Sequence, residues 1–370
     1  NTASIYLKEV KPMFKTITFL LRGFIKSPRV NNQVDGFTLI ELLIALTMAF
    51  LILTPLLGLI VNIANTDQKE QAKATSEQEI QTAMDFITRD LQQAVYIYDQ
   101  RGVEKTNNTT FPLESGINDS LPVVPNGLPV LVFWKREIVP NAVPNDSASK
   151  DDAFRYSLVA YYLIHNINNI YPTWSRTARI ARWEIKDGVR SISGTSGISD
   201  CPTKYDTTTK FISGYCPDAG FQPFDLDSTT GSITQKMKLW TADRTKYTAT
   251  PQVLIDYIDQ TIPVKDPTGS IPDLTRQCLT DANYSLSNTS KQPQVIPSNT
   301  TSPSSFYACV SNYLDPINTG RVTTTAQVFI RGNALARIQS SNTTYTDKNQ
   351  ATYFPSVNAI VQARGFLYTN

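Results

Sequence analysis

The chain has 370 residues, a formal net charge of +2, 41% hydrophobic and 18% charged residues, a single histidine and four cysteines. That length supports a sizeable core, and near neutrality without a dense Lys/Arg run argues against nucleic acid as the main partner. One histidine and no C-x-x-C pair leave little from which to build a zinc site, and no glycine-rich phosphate loop is present, so any ATP-driven step belongs to a separate motor.

Residues 1–36 read as a leader. Lys8, Lys11, Lys15, Arg22, Lys26 and Arg29 outweigh Glu9 and Asp35, and a cationic flank before a spanning helix keeps that end in the cytoplasm. Translation is expected to start at Met13, with residues 1–12 an artefact of gene calling. Phe14, Ile17, Phe19, Leu20, Leu21, Phe24 and Ile25 would form a short membrane-surface helix, discarded on processing.

Gly36-Phe37-Thr38-Leu39-Ile40-Glu41-Leu42-Leu43 follows, with one carboxylate at the mouth of an apolar run that continues to Ala64. An ionised acid in hydrocarbon costs about 2.5–3.5 kcal/mol on insertion scales, so Glu41 calls for a cationic partner. A free amine on Phe37 of a neighbouring copy would be one, and the first helical turn also favours negative charge. These contiguous residues resemble the processing motif of the type IV pilin and pseudopilin family. The resemblance implies cleavage between Gly36 and Phe37 by a prepilin peptidase, N-methylation of Phe37, and a role for Glu41 in subunit assembly. The alternatives are an uncleaved membrane helix with a snorkelling acid, and a secretory signal, whose small-x-small site is missing around Asn62-Ile63-Ala64.

Residues 42–64 make about 35 Å of helix, enough to cross a bilayer. Pro55 and Gly58 interrupt the run and predict a kink or a melted turn over 51–54, unless the Thr47 or Thr54 hydroxyl re-satisfies the backbone. Beyond Asn65 the composition turns polar. Ile80, Met84, Ile87, Leu91 and Ala94 then recur at spacings of four and three, an apolar stripe that extends one long helix over 37–98, transmembrane to about 64 and amphipathic after it. Arg89-Asp90-Leu91-Gln92-Gln93-Ala94 resembles the helix end of minor pilins with large heads.

The remaining 99–370 reads as a β-rich head, with strand-like runs at 129–134, 157–164, 178–185, 252–258, 326–330 and 359–363. Segments 104–127, 191–232 and 283–305, rich in Ser, Thr, Asn, Asp and Pro, are expected to be long surface loops. The fold class is α+β: a pilin-like long N-terminal helix packed on an antiparallel sheet. Cys278-Leu279, Phe306-Tyr307-Ala308-Cys309-Val310, the run 327–337 and Tyr353-Phe354-Pro355 resemble cyanobacterial pseudopilins linked to hormogonium polysaccharide secretion, of the C type. That resemblance implies a role in polysaccharide export and gliding, an inner-membrane assembly platform with its own ATPase, other pilins as partners, and contact with the exported polysaccharide.

Cys201, Cys216, Cys278 and Cys309 all lie in the head, on the side where disulfides form. Of three connectivities, sequential pairing is the expected one because it staples the two loop-rich regions. His165 ends an apolar run and reads as a packed or surface residue, with no nucleophile elbow to accompany it. Asp225-Leu226-Asp227-Ser228-Thr229 offers oxygen ligands but lacks the glycine and closing glutamate of a calcium loop. Trp134, Trp174, Trp183 and Trp240 serve either as core or as platforms for sugar rings. No catalytic residue, metal ligand or cofactor is assigned. The competing function is a membrane-tethered enzyme or carbohydrate-binding module that keeps a pilin-like signal.

Overall fold

The structure, a computed structural model, describes residues 37–144, 149–166, 172–191, 198–199, 201–206, 208–227, 231–262, 278, 293–299, 302–314, 322–341, 343–345, 352–364 and 367. The leader 1–36, with Gly36 and Met13, lies outside them. The chain divides into two units at Asn65 and Thr66.

The first unit is the N-terminal part of α1 (Leu39–Gln92). All its large apolar side chains from Phe37 to Ile63 are exposed. A helix apolar on every side and uncovered suits lipid or a bundle of like helices, and by length and composition it can cross a membrane. The melted turn expected before Pro55 is not there, because α1 runs unbroken from Leu39 through Pro55 and Gly58. Pro55 removes one donor, and the Thr54 hydroxyl donates to Phe50 O at 2.8 Å and the Thr47 hydroxyl to Ile44 O at 2.9 Å. Both reinforce turns of the helix before Pro55, and neither reaches Leu51 O, the carbonyl that Pro55 leaves without its helical donor.

The second unit holds the rest of α1 and the sheets. Ala72, Ser76, Ile80, Ala83, Met84, Ile87, Asp90 and Leu91 are the buried positions of the helix, so the stripe read from the sequence is its inner face. The helix ends sooner than expected. Gln93 turns the chain and β1 (Ala94–Ile97) follows at once, because Val95, Tyr96, Ile97 and Tyr98, all buried, suit a pleated surface better than another helical turn.

After the short α2 (Gln100–Glu104) come β2 (Gly127–Pro144), β3 (Lys150–Ile164), β4 (Ala178–Lys186), the small pair β5 (Ile198–Ser199) and β6 (Phe211–Ile212), α3 (Ile233–Lys238) and β7 (Gln252–Ile258). Next are β8 (Gln294–Ile296), β9 (Phe306–Leu314), β10 (Val322–Arg331), α4 (Leu335–Ile338) and β11 (Ser356–Gln362). Two antiparallel sheets result, in the orders β1-β2-β3-β4-β7 and β11-β10-β9-β8. Ile258 bridges to Gly332, Asp259 N donates to Arg331 O at 3.1 Å and Asn333 N donates to Tyr257 O at 2.7 Å. The sheets are thereby laced together, and one large hydrophobic cluster runs through both, with a small second cluster of Val139, Ala142, Val189 and Ile212 apart from it.

Segment 191–232 and its continuation are not mere surface. Phe221, Ile233, Met237 and Trp240 are buried, and Trp134 meets Phe221, Phe224 and Trp240 edge-on at 5.0–5.9 Å between ring centres. The Trp134 indole N–H donates to the Tyr98 hydroxyl at 3.1 Å, which donates to Met237 O at 3.0 Å. The insertion therefore covers the face of the first sheet opposite to the one that receives α1. Coverage on both faces explains why 130–134 and 158–164 read as continuous apolar runs rather than alternating ones. Within 104–127, Ile117 and Leu121 are buried as well, so that segment too is part of the core.

Cys201 pairs with Cys216 and Cys278 with Cys309, the sequential connectivity. The first bridge closes a 15-residue separation beside the covering layer. Replacing both Cys201 and Cys216 by serine is expected to cost about 3 kcal/mol in the chain-entropy picture. Urea unfolding of the oxidised full chain and of the variant measures it, and equal midpoints refute it.

Candidate functional site

The N-terminal end of α1 carries the residues that the sequence singles out. Thr38 precedes the first helical residue and Glu41 lies three positions on. The Thr38 N–H and hydroxyl both donate to Glu41 Oε2, at 3.1 and 3.0 Å, and Glu41 N–H donates to the Thr38 hydroxyl at 3.3 Å. This is a reciprocal capping box, which satisfies helix-end donors that have no partner within the helix. The box engages one carboxylate oxygen. Glu41 Oε1 makes no hydrogen bond among the described residues, and both Glu41 and Phe37 are exposed. Oε2 thus closes the helix start, while Oε1 stays outside the box. The T-x-x-E spacing that signals the cap is legible in the sequence, where Glu41 is placed in the first helical turn without its pairing to Thr38.

A second cluster was missed. Asp90, on the inner face of α1, receives Arg182 Nε at 2.7 Å, the Tyr161 hydroxyl at 2.8 Å and Lys135 Nζ at 3.1 Å. Lys135 also reaches Glu184 at 2.8 Å and Glu137 at 3.4 Å, and Arg182 reaches Glu184 at 2.9 Å. Arg155 and Lys186 close the group at Glu137 and Glu184. Burial works against the charges of Lys135, Arg182 and Glu184, and their pairing outweighs it. It would raise the Glu184 carboxyl, yet the Arg182 hydrogen bond and the Lys135 charge bring that group down to about 2. Burial would lower Lys135, yet Asp90 and Glu184 hold it above the ordinary lysine range. Strand alternation is the signal that could have found the cluster: Lys135 and Glu137 on β2, and Arg182 and Glu184 on β4, each stand two apart and so share one face.

The other candidates are placed as follows. His165 donates its backbone N–H to Asn126 O at 3.0 Å, and burial pulls its imidazole below the usual histidine range, favouring the neutral ring. Asp225 accepts from Asp227 N at 2.8 Å in a tight turn, while Ser228 and Thr229 lie outside the described residues. Trp134, Trp183 and Trp240 are buried, and Trp174 is exposed. Among the described residues no group of three or more His, Cys, Asp or Glu side chains stands together as a metal site. Comparison with protein families, with curated proteins and with solved structures found no match.

Proposed function

We propose that the chain is a non-enzymatic minor pilin or pseudopilin, a structural subunit of a type IV pilus-like or type II secretion-like filament. In this reading a prepilin peptidase removes residues 1–36 and methylates Phe37. The subunit waits in the plasma membrane on α1 with its head outside the cytoplasm, where an assembly platform and its separate ATPase draw it into the filament. Support for polysaccharide export and gliding is part of the proposal.

The observation that carries it is Glu41. A carboxylate with one oxygen in a capping box and the other without a partner stands at the start of a helix whose apolar surface is bare to Ile63. In lipid that charge is costly alone, and the amine of a processed neighbour offsets it. The two disulfides fit an oxidising compartment for the head. Mass spectrometry of the protein isolated from its own membranes is expected to find an N-methylated Phe37 as the first residue, and an intact leader ahead of Phe37 overturns the reading.

A further inference from the structure

Trp174 is the tryptophan that the core does not use. It is 42% exposed and stands at the rim of an open groove of about 380 Å³, in the range of small-ligand clefts. Its support is built. Behind the ring, the buried Arg179 guanidinium lies 5.8 Å from the indole centre. On the chain, the next residue is pinned to β7, since Asp256 accepts from Ser175 N–H at 2.8 Å and from the Ser175 hydroxyl at 2.7 Å. A second aromatic residue, Tyr257, lines the same groove in a left-handed conformation, φ 58°, that side chains of its size seldom adopt. Strain of that kind, held here by the Asn333 N–H on Tyr257 O, collects at ligand sites.

The charges lining the groove are of one sign. Arg176 and Arg337 line it, and among the described residues no carboxylate does. Arg337 is already engaged: it lies 4.1 Å over the Tyr257 ring and binds Ser76 and Glu79 of α1. The Arg176 guanidinium, which is exposed, has no partner among the described residues. The hydroxyls of Ser340 and Thr343 complete the rim.

We propose that this groove binds an acidic sugar unit of a polysaccharide, with the apolar face of the pyranose ring on the Trp174 indole and the sugar carboxylate on Arg176. A flat aromatic beside hydroxyls suits a ring that alternates C–H and O–H, and a free guanidinium suits a carboxylate through a paired, charge-assisted contact. A peptide strand would instead seek an open sheet edge and leave both the indole and the guanidinium idle. The proposal goes beyond the filament reading and does not depend on it.

The test is titration of the full chain in detergent micelles with trigalacturonate and with neutral galactotriose, followed by tryptophan fluorescence and calorimetry. Trigalacturonate is expected to bind at least about tenfold more tightly than galactotriose, Trp174→Ala to weaken both by at least about tenfold, and Arg176→Gln to erase the difference between them. Glu41→Gln should leave all of these values unchanged, which keeps failure of this site distinct from failure of the assembly reading. Absence of saturable binding to either sugar, equal affinity for the two, or a Trp174→Ala variant that binds as the parent does overturns the proposal.

Discussion

Under the proposed filament reading, Glu41→Gln is expected to leave cleavage after Gly36 intact and to reduce incorporation of the subunit into filaments by about a hundredfold, the equivalent of about 2.5–3.5 kcal/mol for a charge left unpaired in hydrocarbon. Glutamine is the informative replacement because it serves at the third position of a capping box as well as glutamate does. Its amide oxygen can still accept from the Thr38 N–H and hydroxyl, the two bonds that occupy Oε2 in the parent. Only the charge is lost. Thr38→Val makes the complementary cut: it removes the hydroxyl on which Glu41 N–H depends and keeps the acid. Loss of a cap costs about 1 kcal/mol, so incorporation should fall only about fivefold. Immunoblots of sheared filaments against whole membranes measure incorporation, and mass spectrometry of the membrane fraction checks cleavage. The reverse ranking, with Thr38→Val crippling and Glu41→Gln silent, would make Glu41 a helix cap and nothing more.

What the sequence revealed about this end of the chain, and what it hid, follows from how far apart the interacting residues stand. The apolar run, the capping spacing and the helical stripe are local patterns, and α1 came out close to expectation up to Gln92. The strand over 252–258 coincides with β7, and the runs at 129–134 and 157–164 are the cores of longer strands. The boundary after Gln92 was hidden because Ala94 continues the stripe from Leu91 at a helical spacing, and no glycine or proline marks the stop. Strands β1, β8 and β9 were not separately predicted as strands. Loop-like composition at 191–232 concealed a covering layer, since a few aromatic residues such as Phe221 and Phe224, spaced irregularly among polar ones, give no period to read. Which tryptophan stays outside is likewise a property of the packed head. The exposed Trp174 precedes Ser175, which hangs on β7 through Asp256, a contact between residues about eighty positions apart.

Asp90→Ala is expected to be among the most damaging single changes in the head. It removes the only helix-borne acid of a buried cluster and leaves Lys135 and Arg182 sharing Glu184 and Glu137. Breaking a buried pair from one side costs about 3–5 kcal/mol, and the carboxylates that remain place this case near about 3 kcal/mol. For a unit of this size that lowers the melting temperature by about 5 °C, measurable by near-ultraviolet circular dichroism of the full chain. The pH dependence carries a sign. Glu184 falls to about 2 in the folded head from an ordinary 4.5, so its contribution is complete above about pH 4.5 and fades as the pH falls through 2. Glu184→Gln should flatten that acid limb, by lowering stability at neutral pH while leaving it little changed near pH 2. Apolar packing alone would let α1 slide along the sheet in steps that keep its stripe covered. Arg182, Lys135 and the Tyr161 hydroxyl converge on the two oxygens of a single carboxylate, and only one register satisfies all three. In a double-mutant cycle, Asp90→Ala combined with Arg182→Met should cost less than the sum of the two single changes, and strict additivity would show that the cluster does not act as a lock.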